Sequence, residues 1–145
     1  MRLLIRIIGG LAIVMVFFWG TLFALDITNP ALANNRLRGD HVRQLADAIE
    51  KYRQARGTYP AVSGPVDDLK KDLVDGGFLA SIPNDPKASA GGQYRYLGGA
   101  SFYGLLVNLE REPWMLHTKP ASTCVVGVRI KGTGAWGDPP ACSFQ

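Results

Sequence analysis

The side chains with the most chemical potential in this chain of 145 residues are two cysteines, two histidines and a group of aspartates. Cys124 and Cys142 are the only cysteines and both lie near the C-terminus. In an oxidising compartment an isolated pair of this kind forms a disulfide. Closing a loop of that length stabilises by roughly 3 kcal/mol in the chain-entropy picture. Two buried free thiols are the alternative. A metal site needs a His or a further Cys at ligand spacing, and neither cysteine has one. His41 falls on the polar side of a helical pattern, and His117 follows Trp114, Met115 and Leu116. Each reads as a surface or strand-edge histidine. Asp67, Asp68, Asp72 and Asp75 look like a cation cluster, but their positions suit helix capping and then a solvated face. Gly-x-Ser-x-Gly, His-Glu-x-x-His and phosphate-cradling glycine loops are absent. The chain therefore reads as non-enzymatic, with no catalytic residue, no cofactor and no metal.

Those residues have to be placed by the elements around them. Residues 7–25 carry no charge, close to the roughly twenty apolar residues that cross a hydrocarbon core as a helix. Arg2 and Arg6 precede the stretch and Asp26 follows it. The positive-inside rule then puts the N-terminus in the cytoplasm and the bulk of the chain outside. The expectation is a transmembrane anchor over 1–30 and an exported domain over 31–145. A cleaved signal peptide is the competing reading, with Ala31-Leu32-Ala33 as the cleavage site behind Pro30. Its apolar run, however, exceeds the usual h-region of about 7–15 residues. A buried soluble helix is the third reading.

The exported part is of ordinary domain size. Its net charge of +4 is spread along the chain, the longest basic run being Lys70-Lys71. That argues against a nucleic-acid surface, which clusters its basic residues. Residues 31–39 read as a polar bridge, after which Asp40 caps an amphipathic helix to Arg56. Val42, Leu45, Ile49 and Tyr52 recur at helical spacing, so Leu45, Ile49 and Tyr52 are assigned to the core. Gly57 ends this helix, and Pro60 forces extended backbone before it. An earlier start near Leu32, with a kink at Pro30, is also open. A second helix is expected over 65–75, then a turn at 83–86 anchored by Phe78, Leu79 and Ile82. Strands are expected over 93–97, 102–109, around 114–117 and over 124–130. Helix first and meandering strands afterwards is an α+β pattern with an antiparallel sheet.

The stretch IEKYRQARGTYP resembles the end of the long N-terminal helix of type II secretion pseudopilins and related type IV pilin-like proteins, with Tyr52, Gly57, Tyr59 and Pro60 in the matching places. The likeness continues through Asp68-Leu69, Gly77-Phe78-Leu79, Ile82-Pro83, Asp85-Pro86 and Tyr94-Arg95-Tyr96, covering 48–97. The cysteine pair is similar to the disulfide-bounded loop of type IV pilins. Gly10 is followed by Leu-Ala-Ile-Val-Met, and Gly9 places Val14 fifth, so the Glu of the prepilin peptidase signature is missing. The Asp-rich loop of a calcium-binding pseudopilin is missing too, Asp138 standing alone.

The resemblance implies a pilin-like helix packed on a four-stranded antiparallel sheet, in a single-pass bacterial inner-membrane protein with its domain in the periplasm. It implies a structural or assembly component of a type II secretion or type IV pilus-type system. The partners would be other pseudopilins or secretion-machine subunits and the lipid bilayer, with no nucleic acid. Gly9, Gly10 and Gly20 would let apolar helices approach closely. The alternatives are a pilin-like binding module or accessory subunit of another membrane complex, or a secreted domain after cleavage at Ala33. A secreted hydrolase would need a convergent polar pocket.

Overall fold

The computed structural model describes residues 2–27, 30–112, 120–128 and 139–144. The chain opens with helix α1 (Arg2–Ile27), whose described side chains are those of 9–21, and continues with α2 (Pro30–Arg56).

Residues 31–39, expected as a polar bridge, are thus helical, in line with the alternative of an earlier start near Leu32. Asp40 is no cap but an interior residue, paired with Arg43 at 2.8 Å on the exposed face. The reason is tertiary. Ala31, Asn35, Arg38 and Gly39 are buried, and packing overrides the weak helix propensity of a stretch containing Asn and Gly. At the other end the prediction of Gly57 as terminator agrees with its left-handed φ of 81°. Its N–H donates to the Arg53 carbonyl at 2.7 Å, closing the last turn.

Strands β1 (Ser63–Pro65), β2 (Arg95–Gly99), β3 (Phe102–Leu109) and β4 (Ser122–Val128) form one antiparallel sheet in that order. Leu105 lies at the centre of the register, opposite Tyr96 on one side and Val126 on the other. β3 falls where the sequence places it. β2 lies two residues later than expected. β4 begins two residues earlier, and the last two residues of its expected span lie outside the described residues, as does the piece at 114–117. The remaining strand, β1, has no sequence signal. Its three residues include a glycine and a proline, which are depleted in strands.

The stretch expected as a second helix is a 3-10 turn (Val66–Leu69) followed by a π turn (Lys70–Val74), which bury Val66, Leu69 and Leu73. Pro65 stands at the start and no side chain caps it, so Asp67 and Asp68 do not fill the capping role expected of them.

The core lies between α2 and the sheet. Val42, Leu45, Ala48 and Ile49 meet Tyr96, Tyr103, Leu105, Val107 and Cys124, with Val66, Leu69, Leu73 and Leu79 closing one side. The α+β class with a four-stranded antiparallel sheet therefore stands.

The membrane anchor does not. Among the described residues no helix is long and apolar enough to cross a membrane. The expectation of a transmembrane helix is overturned. With it goes the single-pass inner-membrane placement with a cytoplasmic N-terminus and a periplasmic domain.

Candidate functional site

The buried face of α2 changes character along its length. Residues 35, 38, 42, 45 and 49 follow one another at helical spacing, polar at first and apolar afterwards. The polar part forms a clamp of ion pairs that joins α2 to two other segments.

At its centre is Arg38, only 3% exposed. Its Nε donates to Asp85 Oδ2 at 2.8 Å and its Nη2 to Asp85 Oδ1 at 3.0 Å. The Nη1 group donates to Glu110 Oε1 at 2.8 Å and to Asn35 Oδ1 at 3.0 Å. Asn35 then grips the strand end beyond β3. It accepts from the Glu110 N–H at 2.9 Å and donates to the Glu110 carbonyl and the Glu112 carboxylate, at 3.0 and 2.8 Å. Asn34 adds a bond to Glu110 Oε1, and Lys87 pairs with Glu110 Oε2 at 2.6 Å. The Lys87 N–H also donates to Asp85 at 2.8 Å, an Asx turn that fixes the loop holding both residues.

Two cations and two carboxylates balance at the centre of this clamp. Burial works against the Asp85 carboxylate. The hydrogen bond from Arg38, the Lys87 amide and the nearby positive charge outweigh it and lower its pKa. Glu110 is lowered in the same way, burial being overcome by Lys87, Asn34 and Arg38. The Asp85 hydrogen bond holds the Arg38 guanidinium above its ordinary value against the opposing effect of burial. Among the described residues no buried side-chain nitrogen or oxygen lacks a partner. Chemically, the arrangement ties helix, loop and strand end together.

Of the residues singled out from sequence, Asp85 sits in this clamp, with half-buried Pro86 directly after it. Tyr52, Gly57, Tyr59 and Pro60 lie at or just beyond the C-terminal end of α2. The half-buried Tyr52 ring stands edge-on to Phe78 with centroids 5.5 Å apart. Tyr59 donates to Glu50 at 2.9 Å, packs on Tyr103 at 4.9 Å and lies beneath the Arg53 guanidinium. Buried Pro60 accepts the Tyr96 hydroxyl at 3.0 Å. Leu45 and Ile49 are fully buried. Burial, aided by the Glu50 charge, pushes the Tyr103 phenol up to about 12.

Cys124 and Cys142 are bonded to each other, their Cα atoms 4.9 Å apart. His41 is not a plain surface histidine, because its Nδ1 lies 3.0 Å from the Tyr94 hydroxyl. His117 and Asp138 lie outside the described residues. Among those described, no group of three His, Cys, Asp or Glu is placed to hold a metal. An open cleft of about 380 Å³ beside Asp85 is lined by Asp67, Asn84, Gln93 and Tyr94 without a serine, cysteine or histidine.

Arg38, Asn34, Asn35, Lys87, Glu110 and Glu112 were not legible as a site. The available signal was the spacing of Asn35 and Arg38 in phase with Val42 and Leu45, visible only once α2 starts at Pro30.

One more surface stands out. From Leu11 to Trp19 the large apolar side chains of α1 are 58–72% exposed. Contiguous exposed apolar surface of this kind marks an interaction site. No protein-family model matches the chain, and neither the curated proteins nor the solved structures contain a significant match to it.

Proposed function

We propose that the chain is a non-enzymatic, pilin-like structural or assembly component of a type II secretion or type IV pilus-type machine. The observation that carries this reading is the layout of the domain. One long helix buries Val42, Leu45, Ala48 and Ile49 across a four-stranded antiparallel meander. A cystine ties the C-terminal segment to the last strand. Four of the residues that carry the resemblance support it, because they sit at junctions. Gly57 ends α2, Tyr59 and Pro60 seat the chain against the sheet, and Asp85 locks a loop to the helix. α1 fits an assembly role. A helix that is apolar all round is covered in its working state, and the apolar helix of another pilin-like subunit is the cover proposed. A Cβ at Gly9, Gly10 or Gly20 would meet nothing within 4 Å, so a neighbouring backbone can come close there.

Deletion of the gene in its own organism tests this. Secretion or pilus assembly should fail and be restored by the wild-type chain. A Val14→Asp/Phe18→Asp variant, changed only on the exposed surface of α1, should fold but not restore it. Unchanged secretion and piliation after deletion would contradict the proposal.

A second reading is a pilin-like binding module or accessory subunit of another complex. What favours it is the fifth-position residue, Val14 after Gly9 or Met15 after Gly10, where the resembled family carries Glu.

A further inference from the structure

The two edges of the sheet are protected in different ways. β1 is three residues long and ends in Pro65, which has no N–H to offer a neighbour. β4 is seven residues long, reads STCVVGV, and contains neither a charge nor a proline. Strands of that composition are templates for further strands.

What covers the β4 edge is the tail of the same chain. The Val125 N–H donates to the Pro140 carbonyl at 2.9 Å, and the Cys142 N–H donates to the Val125 carbonyl at 3.1 Å. Val125 and Ala141 pair in parallel. By the alternation of an antiparallel ladder, the N–H and C=O of Thr123 and Gly127 point the same way. Among the described residues no backbone group bonds to them there. Among the described residues two fastenings hold the tail: the Cys124–Cys142 bond, and the half-buried Phe144 ring packed on α2 at Gly39. At Gly39 a Cβ would stand 3.0 Å from the Phe144 ring, so the glycine lets the ring lie close to the helix. Leu32, Asn35 and Leu109 line a small cavity together with Phe144.

We infer that this tail is a redox-releasable guard, and that the β4 edge beneath it is a self-association surface. When a dithiol donor is oxidised to its own disulfide, the Cys124–Cys142 bond breaks and leaves two thiols. Among the described residues the tail is then held by two backbone hydrogen bonds and the Phe144 ring. β4 pairs antiparallel with β4 of a second copy, about a two-fold axis through Val125. A second copy suits this edge for two reasons. The strand is uncharged, so two copies meet without like-charge repulsion. A two-fold contact also sets Thr123 of each copy opposite Gly127 of the other, so the outward backbone groups that no described residue pairs satisfy each other.

Amide hydrogen exchange on the full-length chain, at two protein concentrations, tests the inference. In the oxidised wild type, exchange across 122–128 should not depend on concentration. In Cys124→Ser/Cys142→Ser, protection of Thr123, Val125 and Gly127 should rise several-fold with concentration. Adding Val125→Pro should abolish that rise. The amides of Leu105 and Val107 report whether the core is intact. If the double variant loses them, the wild type treated with a mild dithiol is read the same way. Concentration-independent exchange of β4 in a released chain with an intact core would overturn the inference. So would loss of the core by both routes, because the tail would then be part of the fold and not a guard upon it.

Discussion

Arg38 and Asp85 are joined by two parallel hydrogen bonds at 2.8 and 3.0 Å, both side chains nearly fully buried and 47 residues apart in the chain. The pair connects the N-terminal third of α2 to a loop that, among the described residues, no backbone hydrogen bond ties to the helix.

Removing one partner of a buried pair leaves the other charge uncompensated. Arg38→Met or Asp85→Leu alone should therefore destabilise by about 3–5 kcal/mol. The double variant should cost less than the sum of the two, a coupling that a double-mutant cycle in urea would measure. Arg38→Lys should rescue little, because an ammonium cannot present the planar fork that meets both Asp85 oxygens. Additive losses would mean that the pair does not act as a unit.

Stability should fall in acid through the same clamp. The ordinary carboxylate values are 3.8 for Asp85 and 4.5 for Glu110, and both are lowered in the folded chain. The unfolded chain then takes up protons first as the pH falls. The stabilisation is complete above the ordinary values and drains away as the pH drops through the lower folded ones. Melting temperatures at about pH 6 and about pH 3 should differ less in Asp85→Asn/Glu110→Gln than in the wild type. Alkali acts with the opposite sign. Tyr103 moves from 10.0 to about 12, so its contribution is intact below the lower value and lost as the pH rises through the higher.

In the apolar half of α2, Leu45→Ala or Ile49→Ala should cost about 2–5 kcal/mol, since both side chains are fully buried. The edge-on contact of Tyr52 with Phe78 adds only about 0.5–1.5 kcal/mol beyond area burial. Tyr52→Leu should therefore cost less than either alanine. Equilibrium denaturation of the three variants checks the order, and a larger loss at Tyr52 would misplace the centre of the core.

The contrast between the two halves of α2 explains what was legible in the sequence. Leu45 and Ile49 announce a helix because hydropathy alternates around them at the helical period. Asn35 and Arg38 occupy the same face, but their burial depends on Asp85 and Glu110, which lie 47 and 72 residues away along the chain. No local pattern carries that information, so the first turns of α2 read as a bridge and the clamp as unrelated polar residues. Asp85-Pro86 was visible as a turn, while its partner was not. β3 was legible because Phe102–Leu109 is a long apolar run between turn residues. The three residues of β1 owe their strand conformation to pairing with β2. The apolar run at the N-terminus misled in another way. Its lack of charge suggested a span, yet among the described residues no helix meets the length and apolarity a membrane requires.

The claim that α1 is covered by the helix of another pilin-like subunit is tested most directly by a photo-crosslinking residue placed at Val14 in the full-length chain. Val14 is 65% exposed and central to the apolar surface of α1. After irradiation in the native cells, mass spectrometry identifies what is joined to it. Adducts should form to the apolar N-terminal helix of a second copy or of another pilin-like chain, and be lost in Val14-labelled chains carrying Phe18→Asp. Adducts confined to proteins of an unrelated complex, or irradiated chains recovered without any protein partner, would contradict the claim.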